Sequence, residues 1–180
     1  MKTKEILRLV RQKSNIDPNA LELHWITVPV IADEEEPLDD YWRLDEIRRH
    51  MVAIAKSNNG CGLALPQLGI SSSIFVAQDP ASKRFKIFVN PRLLEYPDKN
   101  VYQSIEGCLS IPGKRFKVQR FPSIRLKYFT LDYADETVIE KEETFFGHFA
   151  CIIQHEYDHL CGKLLSSFGE EVKELIKENI

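Results

Sequence analysis

The 180-residue sequence has no long apolar run and no excess of positive charge. No stretch approaches the roughly 20 apolar residues of a membrane-spanning helix, so we expect no membrane partner. Residues 1–15 carry scattered charges where a secretory signal peptide has an apolar segment. The formal net charge of −3 argues against the basic surface of a nucleic-acid-binding protein. We therefore expect a cytoplasmic protein without sequence-specific nucleic-acid binding, and the basic start keeps an organellar location open as the alternative.

Cysteine is scarce, and the sequence contains no C-x-x-C pair. The four cysteines are Cys61, Cys108, Cys151 and Cys161. In a reducing compartment such cysteines remain thiols and form no disulfide framework. A cysteine with a special role in this chain is therefore expected to be a metal ligand or a nucleophile.

Length and apolar content predict a single domain. With 43% hydrophobic residues, a chain of this size can bury one sizeable core but not two ordinary ones. No repeat, low-complexity segment or linker divides it, so we expect one domain over residues 1–180.

Hydrophobic periodicity predicts an α+β fold. Helical spacing indicates a short helix after Thr3, a second over residues 44–55 that ends at Asn58–Gly60, and a third from Phe146 to Leu160. Prolines interrupt residues 13–42, where we expect irregular structure with a solvated acidic loop at 33–36. A last helix is predicted over 170–180. Segments rich in β-branched and aromatic residues predict antiparallel strands at 71–77, 85–91, 116–121, 123–133 and 137–145.

Two histidines lie four residues apart in the segment QHEYDHLCG. On an α-helix, His155 and His159 share one face and can bind a single cation. Glu156 is adjacent to them and can exchange a proton with a metal-bound water. A catalytic site of this kind has three protein ligands and an open position. The sequence therefore predicts a metal enzyme and requires a third ligand.

The third ligand cannot come from the same helix. His148 would lie about 10 Å from His155 along the axis, and Cys151 about 12 Å from His159. Cys161 points to another side of the helix. The remaining candidates are carboxylates and the residues Cys61, Cys108, His24 and His50. The two cysteines in this set are flanked by glycine, which permits a close backbone approach, but spacing alone does not separate them.

Three segments together resemble the motifs of the peptide deformylase family. They are GCGLALPQ at 60–67, EGCLS at 106–110 and HEYDH at 155–159. The similarity extends over residues 44–168, whereas residues 1–43 diverge from the family. The resemblance implies a single catalytic domain with antiparallel or mixed β-sheets packed around the H-E-x-x-H helix, and with a helix near each end.

The resemblance also implies a reaction and the residues that perform it. The implied enzyme is a metal-dependent hydrolase that removes the formyl group from the N-terminal formyl-methionine of newly made polypeptides and releases formate. Glu156 would be the general base, and the Gln67 amide and the Leu109 backbone N–H would stabilise the oxyanion. A structural cap in the Pro-Gln turn is the alternative role for Gln67. The implied metal ligands are Cys108, His155 and His159.

A thiolate and two neutral imidazoles suit one zinc or ferrous ion. The resemblance implies Fe(II) as the physiological metal, with Zn, Ni or Co as substitutes. An N-formyl-methionyl nascent peptide would pair as an added strand near Gly107 and along Gly60, Cys61 and Gly62. Ile152 is a candidate for the methionine pocket. Arg115 matches a family position near the peptide, with a solvated strand charge as its alternative role.

The sequence departs from the family pattern at two places that affect the site and its partners. Leu65 stands where the first motif usually has a small residue. The C-terminal segment 170–180 holds four glutamates and two lysines, so it gives no support to a basic ribosome anchor. We expect a monomer that makes at most a transient ribosome contact.

Two other functions fit parts of the pattern. A zinc endopeptidase shares H-E-x-x-H but usually takes a downstream His or Glu as its third ligand, and no histidine follows His159. A catalytically silent metal-binding scaffold should have lost Glu156, Gln67 or Cys108, and all three are present.

Overall fold

The computed structural model describes residues 3–14 and 41–173. The predicted acidic loop at 33–36 and the candidate ligand His24 lie outside these residues. Of the segment 13–42 that was predicted to be irregular, residues 13–14 and 41–42 belong to helices, and residues 15–40 lie outside the described residues.

The first two helices pack against each other through the apolar faces that their periodicity predicts. Helix α1 spans Thr3–Ser14 and buries Ile6 and Val10, and helix α2 spans Tyr41–Ser57 and buries Leu44 and Ile47. At the edge of this contact, both oxygens of Glu46 accept hydrogen bonds from Arg11 at 2.7 Å. Beyond α2, the Gly60 N–H donates to the Ala55 carbonyl at 2.8 Å.

The strands form two antiparallel sheets. The five-stranded sheet has the order β1-β2-β3-β6-β7, and the three-stranded sheet has the order β4-β5-β8. The strand bounds are Gly62–Ala64 (β1), Ile74–Gln78 (β2), Phe85–Glu95 (β3), Tyr102–Cys108 (β4), Ile111–Arg120 (β5), Ser123–Asp132 (β6), Thr137–Phe146 (β7) and Glu170–Glu171 (β8). Among the described residues, strands β1 and β4 each lie at the edge of a sheet, so each has one side without a partner strand.

The five predicted strands correspond to β2, β3, β5, β6 and β7. Strand β4 was not predicted, because its inward positions hold the polar side chains of Ser104 and Glu106 and its outward position holds the exposed Ile105. Strand β1 was missed because it has only three residues and is buried throughout, so it shows no alternation.

The end of the described chain differs from the prediction. A short helix, α4 (Leu165–Phe168), follows α3, and the predicted helix over 170–180 does not begin at Glu170. Residues Glu170 and Glu171 instead pair with Lys117 and Phe116 of β5. An ion pair of 2.9 Å between Lys114 and Glu171 supports this pairing. Residues 174–180 lie outside the described residues.

Helix α3 (Gly147–Leu160) carries the H-E-x-x-H motif and packs against the five-stranded sheet. Its apolar side buries Ala150, Ile153 and Leu160 in a cluster with Phe75 and Phe88. The opposite side of α3 is directed toward β4. The α+β prediction, with antiparallel sheets around this helix and with helices near both ends, is confirmed. No helix in the described ranges is long and apolar enough to cross a membrane.

Candidate metal centre

The two motif histidines lie side by side on α3, as their spacing predicts. Their ring centroids are 5.0 Å apart, and His159 is 1% exposed. The helix begins at Gly147, and Gly162 just beyond its end has a φ of 71°. That left-handed conformation favours glycine, and α3 ends at Leu160, one residue after the motif.

Strand β4 brings Cys108 to these histidines. The register of β4 against β5 shifts between Gly107 and Cys108, and such a bulge redirects a side chain. Cys108 Sγ lies 3.3 Å from His159 Nε2. The candidate ligand atoms of Cys108, His155 and His159 all lie within 4.8 Å of one another.

No other group of three possible ligands occurs in the described ranges 3–14 and 41–173. Cys61, the competing cysteine, is exposed at the start of β1. His148, Cys151 and Cys161 lie outside the trio, as their helical spacing predicts. One sulfur and two imidazole nitrogens at this separation fit a tetrahedral site for zinc or ferrous iron with one position open.

Glu106 is the functional residue that the sequence analysis missed. Its Oε2 lies 3.0 Å from His155 Nδ1, and Arg120 donates two hydrogen bonds of 2.8 Å to the two carboxylate oxygens. Arg120 also donates to Asp158 at 2.6 Å. A carboxylate that accepts the Nδ1–H of a ligand histidine fixes the ring tautomer and leaves Nε2 for the metal. No clear signal in the sequence marks Glu106, because β4 was not predicted and strand alternation applies only to a known strand.

The hydrogen bonds among Glu106, His155 and Arg120 shift the pKa values of Glu106 and His155. Burial raises the pKa of Glu106, but the hydrogen bonds from Arg120 and His155 outweigh burial and hold that pKa well below its ordinary value. Burial lowers the pKa of His155, but contacts with Cys108, Glu106 and Glu156 outweigh it and raise that pKa to about 10. A ligand histidine must have a deprotonated nitrogen toward the metal, so we expect metal binding to weaken as the pH falls.

Glu156 is buried beside the trio. Burial raises the pKa of its carboxyl group to about 7, against the opposing effect of His155. Its Oε2 has no hydrogen-bond partner among the described residues. On the other side it faces Gly62, where an added methyl group would lie 2.3 Å from Glu156 Oε1. Glycine at position 62 is thus required by the close approach of Glu156.

This contact predicts that Gly62→Ala destabilises the protein through Glu156. Overpacking of a filled site costs about 1–3 kcal/mol, and we expect that loss in urea unfolding of the Gly62→Ala variant. The same substitution in a Glu156→Ala background should cost much less, because the clashing carboxylate is gone. Equal losses in the two backgrounds would show that the strain has another source.

Gln67 lies in a short 3₁₀ helix (Leu65–Leu68) directly after β1. Its Oε1 accepts a hydrogen bond from the Ala64 N–H at 2.8 Å, which is the capping role. Its Nε2 donates to Ser110 Oγ at 3.0 Å and lies 3.9 Å from Cys108 Sγ. The cap therefore fixes the amide so that its donor side faces the candidate ligands, and the two roles considered for Gln67 are compatible.

A cleft of about 640 Å³ connects the trio with the surface. The cleft runs between β1, β4 and α3, and Cys108, His155 and Glu156 line its inner end. The remaining candidate site residues also line this cleft, with the exception of the buried ligand His159. They are Gly60, Cys61, Gly62, Gln67, Gly107, Leu109, Arg115 and Ile152. A larger groove of about 910 Å³ between α1 and α2 contains none of the candidate site residues.

Known proteins are similar to this chain in sequence and in fold. The sequence model of the polypeptide deformylase family matches residues 22–173. The peptide deformylase of Christiangramia forsetii is 34% identical over 169 residues, which cover 84% of this chain and 83% of that protein. Peptide deformylase 1 of Clostridium perfringens is 40% identical over 124 residues, which cover 68% and 78% of the two chains.

A solved structure is similar over most of the chain. The structure of a peptide deformylase from Synechococcus elongatus in complex with actinonin aligns with a TM-score of 0.70 at 28% identity, covering 86% of this chain and 81% of that one. The fold and the matches define the protein as a metal-dependent amide hydrolase. The chain belongs to the polypeptide deformylase family, whose members remove the N-terminal formyl group from polypeptides.

Proposed function

We propose that this chain removes the formyl group from the formyl-methionine of nascent polypeptides, with Glu156 as the general base and with Cys108, His155 and His159 as the metal ligands. The observation that supports these roles is the convergence of three ligand atoms within 4.8 Å beside a buried carboxylate oxygen that has no partner among the described residues. Both features face the same cleft, so a substrate carbonyl can reach them together.

The three ligands would hold one divalent metal, and we propose Fe(II) as the physiological ion, with Zn, Ni or Co as substitutes. When bound, such an ion would polarise the formyl carbonyl and lower the pKa of water. The contact between His155 Nδ1 and Glu106 keeps the ring in the orientation that this role needs.

Glu156 is suited to proton transfer. In the metal-free protein, burial raises the pKa of its carboxyl group to about 7, and an acid/base group is most effective when its pKa lies near the working pH. In the proposed reaction, Glu156 takes a proton from the attacking water and passes it to the departing amine. Formate and a peptide with a free amino group are the products.

Gln67 and Leu109 would stabilise the oxyanion that forms at the formyl carbonyl. The Ala64 N–H holds the Gln67 amide in one orientation, so its NH₂ group needs no reorganisation during the reaction. Leu109 follows the ligand Cys108 directly, in the turn between β4 and β5. Its backbone N–H is the second proposed donor.

The edge strands on both sides of the cleft explain how a peptide could bind in a sequence-tolerant way. An extended chain can pair with the backbone at Gly60, Cys61 and Gly62, which leads into the edge strand β1, or with β4 near Gly107, through main-chain hydrogen bonds. Arg115 is exposed at the cleft, where it could contact the peptide. We further propose that residues 1–180 act as a single catalytic domain and as a monomer in the cytoplasm, with at most a transient ribosome contact.

The proposed function is tested with metal-loaded protein and the peptide formyl-Met-Ala-Ser. Mass spectrometry should detect Met-Ala-Ser as the product, with release of one formate per peptide. Cleavage of an internal amide bond would identify a peptidase. Absence of any reaction would identify a silent metal-binding scaffold.

The identity of the metal gives a separate prediction. A site with one sulfur and two nitrogens binds zinc more tightly than ferrous iron by affinity order, yet we expect the iron enzyme to be faster and to lose activity in air. Anaerobically purified protein should therefore decay on exposure to air and should recover in part with Fe(II), Ni(II) or Co(II). An air-stable zinc enzyme that is equally fast would contradict the proposal of iron as the physiological metal.

A further inference from the structure

Polar groups line the part of the cleft where the first substrate side chain would lie. On α3, the residues one turn before His155 that line the cleft are Cys151 and Ile152. One helical turn is about 5.4 Å, which is comparable to the separation between a formyl carbon and the side chain of the residue that carries it. Because Ile152 is the candidate for the methionine pocket, we place the first side chain of a peptide whose formyl group reaches the trio beside Cys151 and Ile152.

Ser104 faces this position from β4. Strand alternation directs Ser104 and Glu106 to one side of β4, and Ser104 also lines the cleft. Its Oγ lies 3.3 Å from Cys151 Sγ. The subsite therefore combines the apolar Ile152 with a hydroxyl and a thiol.

The Ser104 hydroxyl is available for a further hydrogen bond. Cys151 Sγ donates to Glu106 Oε1 at 3.0 Å, so the thiol proton is committed to a buried carboxylate. Ser104 is then left with sulfur as its neighbour, and sulfur is a weak acceptor. The hydroxyl can turn toward a stronger acceptor in the cleft and lose little by doing so.

We infer that Ser104 is a specificity-determining residue for the first side chain of the substrate. Its hydroxyl allows the enzyme to accept side chains of methionine length that carry a neutral hydrogen-bond acceptor. Methionine sulfoxide has this chemistry. In a wholly apolar subsite its oxygen would lose water without replacement, whereas here Ser104 supplies a donor. A carboxylate side chain of similar length is disfavoured, because the burial of its charge would cost more than a single hydroxyl donor returns. The inference rests on the proposed deformylase function.

The test compares kcat/KM of the metal-loaded full chain for formyl-Met-Ala-Ser and for its norleucine and methionine sulfoxide analogues. Loss of one hydrogen bond to a neutral group lowers the rate by about 10-fold. We therefore expect Ser104→Ala to lower kcat/KM for the sulfoxide peptide about 10-fold and to leave the norleucine peptide within about two-fold. Ser104→Thr keeps the hydroxyl and should retain the sulfoxide activity. Ser166→Ala, at an exposed position of α4, is the matched control and should change neither.

Two results would overturn the inference. The first is an equal loss for the norleucine and sulfoxide peptides in Ser104→Ala. The second needs no variant: a wild-type enzyme that uses the sulfoxide peptide more than about 100-fold less well than the norleucine peptide has no donor for that oxygen. Failure of the proposed function is distinguishable from both, because formyl-Met-Ala-Ser would then release no formate from the wild type.

Discussion

Replacement of Cys108 by alanine is expected to leave the protein with little bound metal, whereas Cys61→Ala should retain a full equivalent. Cys108 supplies the sulfur of the ligand trio, and Cys61 is exposed and lies outside it. A change to a residue that only orients a ligand costs about 10–100-fold in metal affinity, so loss of a ligand should cost more. Metal analysis of the purified variants measures the difference.

Thermal unfolding of the variants Cys108→Ala and Cys61→Ala tests the same assignment independently. A metal that binds the folded state stabilises it by mass action, so added Zn(II) should raise the Tm of the wild type and of Cys61→Ala. It should leave the Tm of Cys108→Ala nearly unchanged. Because cysteine and alanine differ little in size, we expect the metal-free proteins to fold alike, and circular dichroism checks this. A Cys108→Ala variant that binds metal normally, with loss in Cys61→Ala, would reverse the assignment.

The sequence determines part of the candidate site by local geometry alone. The positions of His155, Glu156 and His159 follow from one helical repeat, and the structure has them on α3 with the two rings 5.0 Å apart. The position of Cys108 could not be predicted in this way, because Cys108 lies on a strand, 47 residues before His155 in the sequence. Periodicity carries no information on which strand lies against a helix, so the choice between Cys61 and Cys108 depended on the family resemblance.

The residues that support the ligands were harder to predict for a related reason. Glu106 and Arg120 come from neighbouring strands of the smaller sheet, and their pairing exists only when β4 and β5 lie side by side. Strand β4 itself escaped prediction because its inward face is polar. Its buried polar groups serve the site rather than the core, so the pattern that normally marks a strand is absent where the function requires other residues.

The helix predicted over residues 170–180 shows a different limit of prediction from the sequence. The segment after Gly169 has helical composition, yet Glu170 and Glu171 pair with β5. Local propensity is weak compared with tertiary pairing. An added methyl group at Gly169 would lie 2.7 Å from a Val118 side-chain atom, so this glycine permits the close approach that brings the chain onto the sheet.

Glu156→Gln is expected to keep the metal and the fold but to lose most of the activity. The amide has nearly the size of the carboxyl group and the substitution leaves all three ligand side chains unchanged, so a full equivalent of metal should remain. An amide cannot accept and return the proton of the attacking water. Loss of a positioned acid/base group costs about 10²–10⁴-fold in rate, and we expect kcat on formyl-Met-Ala-Ser to fall within that range while KM changes little.

Three measurements on Glu156→Gln separate this role from its alternatives. If Glu156 were a ligand, metal content would fall together with the rate. If it were only a structural group, the rate would persist, and urea unfolding would report the whole effect as lost stability. A proton-transfer role predicts that neither metal content nor stability falls while kcat collapses. Because burial is the largest of the effects that raise the pKa of this carboxyl group to about 7, the neutral amide should be tolerated at this position, and the variant should be at least as stable as the wild type near neutral pH.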